Sequence, residues 1–161
     1  MDQAERREFL VSHRTAVFGF GRKADGPAMS IVYYVMDGED VLVSTMSARG
    51  KAKAVHRNPK VSLMILDEKW PPTYLLVYGD AKVERDLDAV TDLNMRILGL
   101  MAGEPTPEER RAQVRQSAID EDRVVLRIRP YASFETPPRH VHKPEDLDGL
   151  THWASTVLAW A

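Results

Sequence analysis

Twice before residue 40 an Asp-Gly pair interrupts a predominantly apolar, strand-like stretch, the first part of which, "TAVFGFG", begins to alternate. Asp25-Gly26 separates "TAVFGFG" from "AMSIVYYVMD", and Asp37-Gly38 separates that run from "DVLVSTM". Asp-Gly supplies the positive-φ positions of a tight hairpin, and alternation gives each strand one face for a core. The punctuation therefore predicts three strands of an antiparallel meander and argues against a parallel sheet wound with crossover helices. "KVSLMIL" after Pro59 reads as a buried fourth strand, and "TYLLVYGDAKVER" as a longer fifth in which Gly79 marks a bulge or a close approach. "DRVVLRIRPYASFE" is the sixth, with Val124, Leu126 and Ile128 on one face and Arg123, Arg127 and Arg129 towards the other.

Helical spacing appears in three places. "ERREFLV" at residues 5–11 suits a short docking helix. In "DLDAVTDLNMRILGLMAG" the residues Leu87, Val90, Leu93, Met95, Ile97, Leu98 and Met101 form the stripe, Asp86 or Asp88 caps the start and Gly103 marks the stop. "PEERRAQVRQSA" opens with Pro107 at a first-turn position. The tail "ETPPRHVHKPEDLDGL" reads as loop, followed by a short apolar helix from Thr151 to Ala161 that contains Trp153 and Trp160. The fold class predicted is mainly β with helices (α+β), a six-stranded antiparallel barrel with helical excursions.

At 161 residues, 43% of them hydrophobic, the chain suits a single domain spanning 1–161. A net charge of −2 is wrong for a protein that coats nucleic acid, so any anion site is local. The absence of cysteine removes disulfides, thiolate metal sites and thiol nucleophiles. No apolar run approaches the about 18 residues of a membrane span and the N-terminus is too polar for a signal peptide, which predicts a cytoplasmic protein. No Ser-His-Asp grouping, HExxH, P-loop or paired-carboxylate signature emerges, so hydrolysis and phosphoryl transfer find no support. Gly19-Phe20-Gly21 is not a dinucleotide fingerprint, because a turn and another strand follow where a helix would have to open.

The local anion site has a candidate. "SARGKAKAVHRNP", residues 47–59, holds Arg49, Lys51, Lys53 and Arg57, with His56 among them, between two strands. If Ser47 or a neighbour caps a helix from about Ala48 to Arg57, backbone N–H groups, the positive end of the dipole and the side chains of Arg49 and Lys51 converge on its first turn. Arginine grips a phosphate through two parallel N–H bonds while lysine adds a mobile point charge. The alternative is a solvated helix face, and the pattern alone leaves both readings open.

The order of a Ser/Thr-bearing strand, "VLVSTM", then "SARGKAKAVHRNP", then an apolar strand resembles the split-barrel flavin-binding family typified by pyridoxamine 5'-phosphate oxidase. Arg49-x-Lys51 followed by Val55 and Asn58-Pro59 is most similar to the actinobacterial branch that binds the deazaflavin coenzyme F-420. The likeness covers a core of about residues 9–135 and leaves the tail, 136–161, outside. It implies an FMN-binding-type split barrel that is a homodimer, with cofactor sites at the subunit interface. It also implies that Arg49 and Lys51 hold the cofactor phosphate, that Lys53 and Arg57 assist or meet an acidic tail, and that Ser44, Thr45 and Met46 run along the ring system. Ser30, Val32 and Tyr34 would complete the floor beneath the ring.

The activity implied is hydride transfer between reduced F-420 and an unsaturated or conjugated small organic molecule. The alternatives are an FMN-dependent reductase or oxidase and a non-catalytic binder of a cofactor or tetrapyrrole. Four cations suit a phosphodiester with a glutamate tail better than a single phosphate, which favours F-420 over FMN; Lys53 and Arg57, spaced i,i+4, equally suit plain solvent exposure. No catalytic side chain is expected, since the cofactor carries the chemistry. Trp70, on a proline-restricted loop, is a candidate wall for the substrate or a plug for the dimer interface. Tyr74 and Tyr78 share one face of the fifth strand, for substrate contact or, more simply, packing. His140 and His142 lack a third ligand, so no metal is expected.

Overall fold

The helix α1 (Gln3–Ser12) begins from a reciprocal cap in which the Asp2 carboxylate accepts from the Glu5 N–H at 2.9 Å and the Glu5 carboxylate accepts from the Asp2 N–H at 2.6 Å. The computed structural model from which this is seen describes residues 1–69, 73–136 and 157–161. The strands are β1 (Thr15–Phe20), β2 (Ala28–Tyr33), β3 (Val35–Asp37), β4 (Asp40–Met46), β5 (Lys60–Asp67), β6 (Thr73–Glu84), β7 (Arg123–Thr136) and β8 (Leu158–Ala159). Between them stand α2 (Gly50–Arg57), α3 (Leu87–Ala102) and α4 (Arg111–Asp120), the last preceded by a 3-10 turn over Glu108–Arg110.

The strands form one antiparallel sheet in the order β2-β1-β5-β6-β7-β4-β3, with β8 added to β7. Eight strands are present among the described residues, not six. The predicted strand "AMSIVYYVMD" is two, because Tyr34 leaves the ladder: its N–H donates to the Arg14 carbonyl at 3.1 Å and its hydroxyl to the Leu10 carbonyl at 2.7 Å. The predicted meander is also broken there. β2 and β3 are consecutive in the chain yet occupy opposite edges of the sheet, so the sheet curls into a half-barrel to bring those edges towards each other.

Inward residues alternate along each strand: Phe18, Val41, Val43, Leu63, Ile65, Leu75, Val77, Leu126 and Ile128 fill the interior. Leu10 of α1, Trp160, and Ala52 and Val55 of α2 join this core. On the reverse face of β3, β4 and β7, Val35, Leu42 and Val125 pack against Val90 and Leu93 of α3 and Ala118 of α4. The reverse face of β2 and β5 carries Met29, Ile31 and Leu66, all exposed.

Gly79 lies at the predicted close approach: the β6–β7 register shifts there, and a Cβ on it would stand 2.4 Å from Ile128 Cγ2. Gly103, at φ 81°, ends α3 as predicted. The predicted C-terminal helix is corrected. Residues 151–156 lie outside the described residues, and Leu158–Ala159 are extended, with the Trp160 N–H donating to the Tyr131 carbonyl at 3.1 Å. The sequence could not show that β7 offers a free edge at that point.

Candidate functional site: a cationic cradle at the barrel split

β3 pairs with β4 only as far as Leu42. Beyond it, Val43 to Met46 have a ladder to β7 alone, and β2 has one to β1 alone. Two free edges therefore face the split, and the backbone of Ser44, Thr45 and Met46 forms one of them. Thr45 is buried, while Ser44 and Met46 are half-buried. The Ser44 hydroxyl accepts from Arg123 Nη1 at 3.3 Å.

The chain then turns from β4 into α2. Arg49 is the N-cap, with extended backbone (φ −69°, ψ 148°) and no side-chain cap, and its N–H donates to the Met46 carbonyl at 3.1 Å. The predicted cap, Ser47, is engaged elsewhere: its N–H donates to the Asp122 carbonyl at 2.9 Å and its hydroxyl to the Asp122 carboxylate. α2 accordingly starts at Gly50 rather than Ala48, with first-turn N–H groups that no side chain caps.

Lys51 is half-buried, its Nζ 5.8 Å from the centroid of the Phe18 ring. Burial, and then the neighbouring charge of Arg49, hold its ammonium below the ordinary lysine pKa. Phe18 is the cross-strand partner of Ser30, whose hydroxyl oxygen is buried with no hydrogen-bond partner. Arg49, Lys53 and Arg57 are exposed, and Arg57 Nη2 donates to the Gly21 carbonyl at 2.9 Å, tying the β1–β2 connection to α2. Several cations elsewhere are neutralised, Arg7 by Glu39, Arg127 by Asp37 and Glu84, Arg129 by Asp40, Arg111 by Asp92 and Glu108, Arg115 by Asp88, whereas Arg14 and Arg96 donate to backbone carbonyls. Among the described residues Arg49, Lys51 and Lys53 make no such pair. The half-buried ammonium and the guanidinium next to it in the chain lack an anion, and Ser30, across the ladder from the Phe18 that Lys51 overlies, lacks a hydrogen-bonding partner.

The remaining candidates fall apart spatially. Val32 and Tyr34 belong to the core, where burial pushes the Tyr34 phenol well above its ordinary pKa, while Ser30 pairs with Phe18 across the ladder. Tyr74 and Tyr78 alternate with inward Leu75 and Val77 and so lie on the outer face, stacked on Phe134 and Tyr131 at 6.3 and 6.5 Å between centroids. Trp70, His140 and His142 lie outside the described residues. Arg123, Arg127 and Arg129 are all ion-paired within the chain. A groove of 1610 Å³ between α1, β3 and α3 is lined by residues such as His13, Arg14, Tyr34, Met36 and Arg96, and contains neither Arg49 nor Lys51. Sequence reasoning missed Phe18, which carries Lys51, and Asp122, which holds the loop; a non-glycine residue after a helix gives no signal of left-handed backbone. No helix of the described residues is long and apolar enough to cross a membrane.

Residues 3–136 match the family described as pyridoxamine 5'-phosphate oxidase. No curated protein matches. Among solved structures, the conserved hypothetical protein Rv2991 of Mycobacterium tuberculosis superposes with a TM-score of 0.74 at 20% identity, over 90% of this chain and 94% of that one. An F-420 reductase gives 0.60 at 20% identity, over 79% and 94%. HutZ, the heme storage protein of Vibrio cholerae, gives 0.57 at 20% identity, over 79% and 88%. At such identities these structures speak for the fold. The family match runs from α1 to the end of β7 and so takes in the curled sheet, both free edges and the cation-bearing helix between them: this chain belongs to the pyridoxamine 5'-phosphate oxidase family.

Proposed function

We propose that this protein is an oxidoreductase dependent on coenzyme F-420, acting on an unsaturated or conjugated small organic molecule. The observation that carries the reading is the unneutralised pair Arg49 and Lys51 at the uncapped start of α2, with Lys51 over the ring of Phe18, whose ladder partner Ser30 has an unpartnered hydroxyl. These residues fit an anionic, ring-bearing group: Arg49 and Lys51 meet its phosphate, and the free edge at Ser44, Thr45 and Met46 lies along its rings. Bound there, a reduced deazaflavin supplies hydride. The chain's own part is to hold the phosphate, orient the rings against β4 and keep water from them. Lys53 and Arg57 extend the positive charge along α2, which supports a ligand with anionic groups beyond one phosphate, and so F-420 over FMN. Likeness to an F-420 reductase points the same way.

The chain acts as a single domain and a homodimer, with the exposed Met29, Ile31 and Leu66 covered by a second copy. Titration with F-420, FMN and hemin, followed by visible absorption and thermal unfolding, tests the assignment. F-420 is expected to raise the melting temperature more than FMN does. Stabilisation by FMN alone would move the protein to the flavin-dependent branch, and a Soret band without turnover on quinones and enones would make it a tetrapyrrole binder.

A further inference from the structure

We infer that Asp122 is a positioning residue of the cradle, holding the β4–α2 turn in the shape that aims Arg49 and Lys51; this rests on the proposed anion site. Asp122 is the non-glycine residue with positive φ among the described residues, at 46°, directly after the C-terminal turn of α4. Its N–H donates to the Ile119 carbonyl at 3.0 Å, as in a helix stop that glycine would usually make. Glycine would serve the turn, but it would bring no carboxylate.

The Asp122 carboxylate is spent on the cradle loop. It accepts from the Ser47 hydroxyl through one oxygen and from Arg85 Nη1 at 3.4 Å through the other, while the Asp122 carbonyl accepts the Ser47 N–H at 2.9 Å. The next residue, Arg123, pairs with Glu121 and donates to the Ser44 hydroxyl. Residues 121–123 thus brace β4 and its exit at Ser44 and Ser47. From Ser47 the chain makes one turn, closed by the Arg49 N–H on the Met46 carbonyl, and enters α2. Two repelling cations stand at that entrance with no anion of their own, and a turn bearing them needs external support to stay closed before a ligand arrives.

The test compares Asp122→Gly, Ser47→Ala, the double variant and Arg49→Ala/Lys51→Ala, with F-420 and FMN as probes and affinity read by titration. Asp122→Gly keeps the left-handed backbone, so its melting temperature is expected to stay near that of the parent while affinity for the better-bound probe falls about tenfold. Ser47→Ala is expected to lose a similar factor, and the double variant no more than Asp122→Gly alone, because the contact that Ser47→Ala removes is already gone without the Asp122 carboxylate. Asp122→Asn is expected to recover part of the loss by accepting the Ser47 hydroxyl through its amide oxygen. If Arg49→Ala/Lys51→Ala abolishes binding while Asp122→Gly and Ser47→Ala leave it unchanged, the positioning role is wrong and the anion site stands. If the Arg49/Lys51 variant binds both probes like the parent, the anion site itself is wrong. Should Asp122→Gly fail to fold, Ser47→Ala, which leaves the αL residue in place, decides alone.

Discussion

The Lys51 ammonium stands 5.8 Å from the centroid of the Phe18 ring, so the charge on the first turn of α2 rests on an aromatic face of the barrel core rather than in open water. That placement holds the ammonium in a partly desolvated position, with Arg49 as a repelling neighbour and no carboxylate to relieve it.

Affinity for an anionic cofactor is therefore expected to depend on pH on the alkaline side. The bound anion favours charged Lys51, whose free-state pKa lies below the ordinary 10.5. Binding is full at neutral pH and weakens as pH rises through that lowered value, earlier than for an ordinary lysine. Lys51→Arg is expected to retain binding and to flatten the profile. Removing both cations, in Arg49→Ala/Lys51→Ala, is expected to cost about 2–5 kcal/mol of affinity with the fold intact. Titrations from neutral pH upwards check this, and a flat parent profile would remove Lys51 from the contact.

Trp160 is 3% exposed, donates through Nε1 to Glu39 at 3.2 Å and lies under the Arg6 guanidinium at 5.6 Å from its ring. Trp160→Ala empties part of the main core and is expected to destabilise the protein by about 3–5 kcal/mol, measured by urea unfolding. A loss below about 1 kcal/mol would mean that the C-terminal strand adds little to the barrel.

Asp40 links stability to acid. Burial alone would raise its carboxyl pKa, but hydrogen bonds from Arg129 and Arg127 outweigh this and hold it below the ordinary 3.8. A depressed folded-state pKa contributes stability that is present above the unfolded value and lost as pH falls through the folded one. The parent is thus expected to lose stability steeply below about pH 4, and Asp40→Asn to start less stable and show a shallower acid slope. Urea midpoints between neutral pH and pH 3 read both slopes, and parallel curves would refute the linkage.

Ile31 is 77% exposed and Met29 70%, side by side in alternation on the outer face of β2. Ile31→Glu is expected to convert a dimer to monomer in light scattering without unfolding it. A parent already monomeric at micromolar concentration would overturn the homodimer.

Legibility followed the range of the interactions. The Asp37-Gly38 turn, Asp86 capping, the Gly103 stop and the Gly79 approach depend on residues close in the chain or on one missing side chain, and stand where the spacing puts them; Asp25-Gly26 instead falls within a longer connection, residues 21–27, without positive φ at Gly26. The break at Tyr34 leaves no mark in the sequence, because "IVYYVM" is an unbroken apolar and aromatic run, and the Leu10 and Arg14 carbonyls, from α1 and the residues after it, take Tyr34 out of the ladder. Trp160 misled for a related reason: its apolar neighbours suit a helix until β7 offers an edge. In the cradle, the positions of Arg49 and Lys51 follow from local order. Ser47 was assigned to the wrong partner, since Asp122 lies far along the chain and its left-handed backbone leaves no mark in composition.

The pairing of β4 with β7 joins Thr45 to Val124 across about half of the polypeptide. During synthesis, Arg49 and Lys51 leave the ribosome long before the strand that fixes the ground they stand on. Until β7 has emerged and docked, the nascent chain has two loose edges and no receptor between them. Ligand capture thus becomes a late event of maturation, and a protein truncated before β7 should neither bind cofactor nor compete for it.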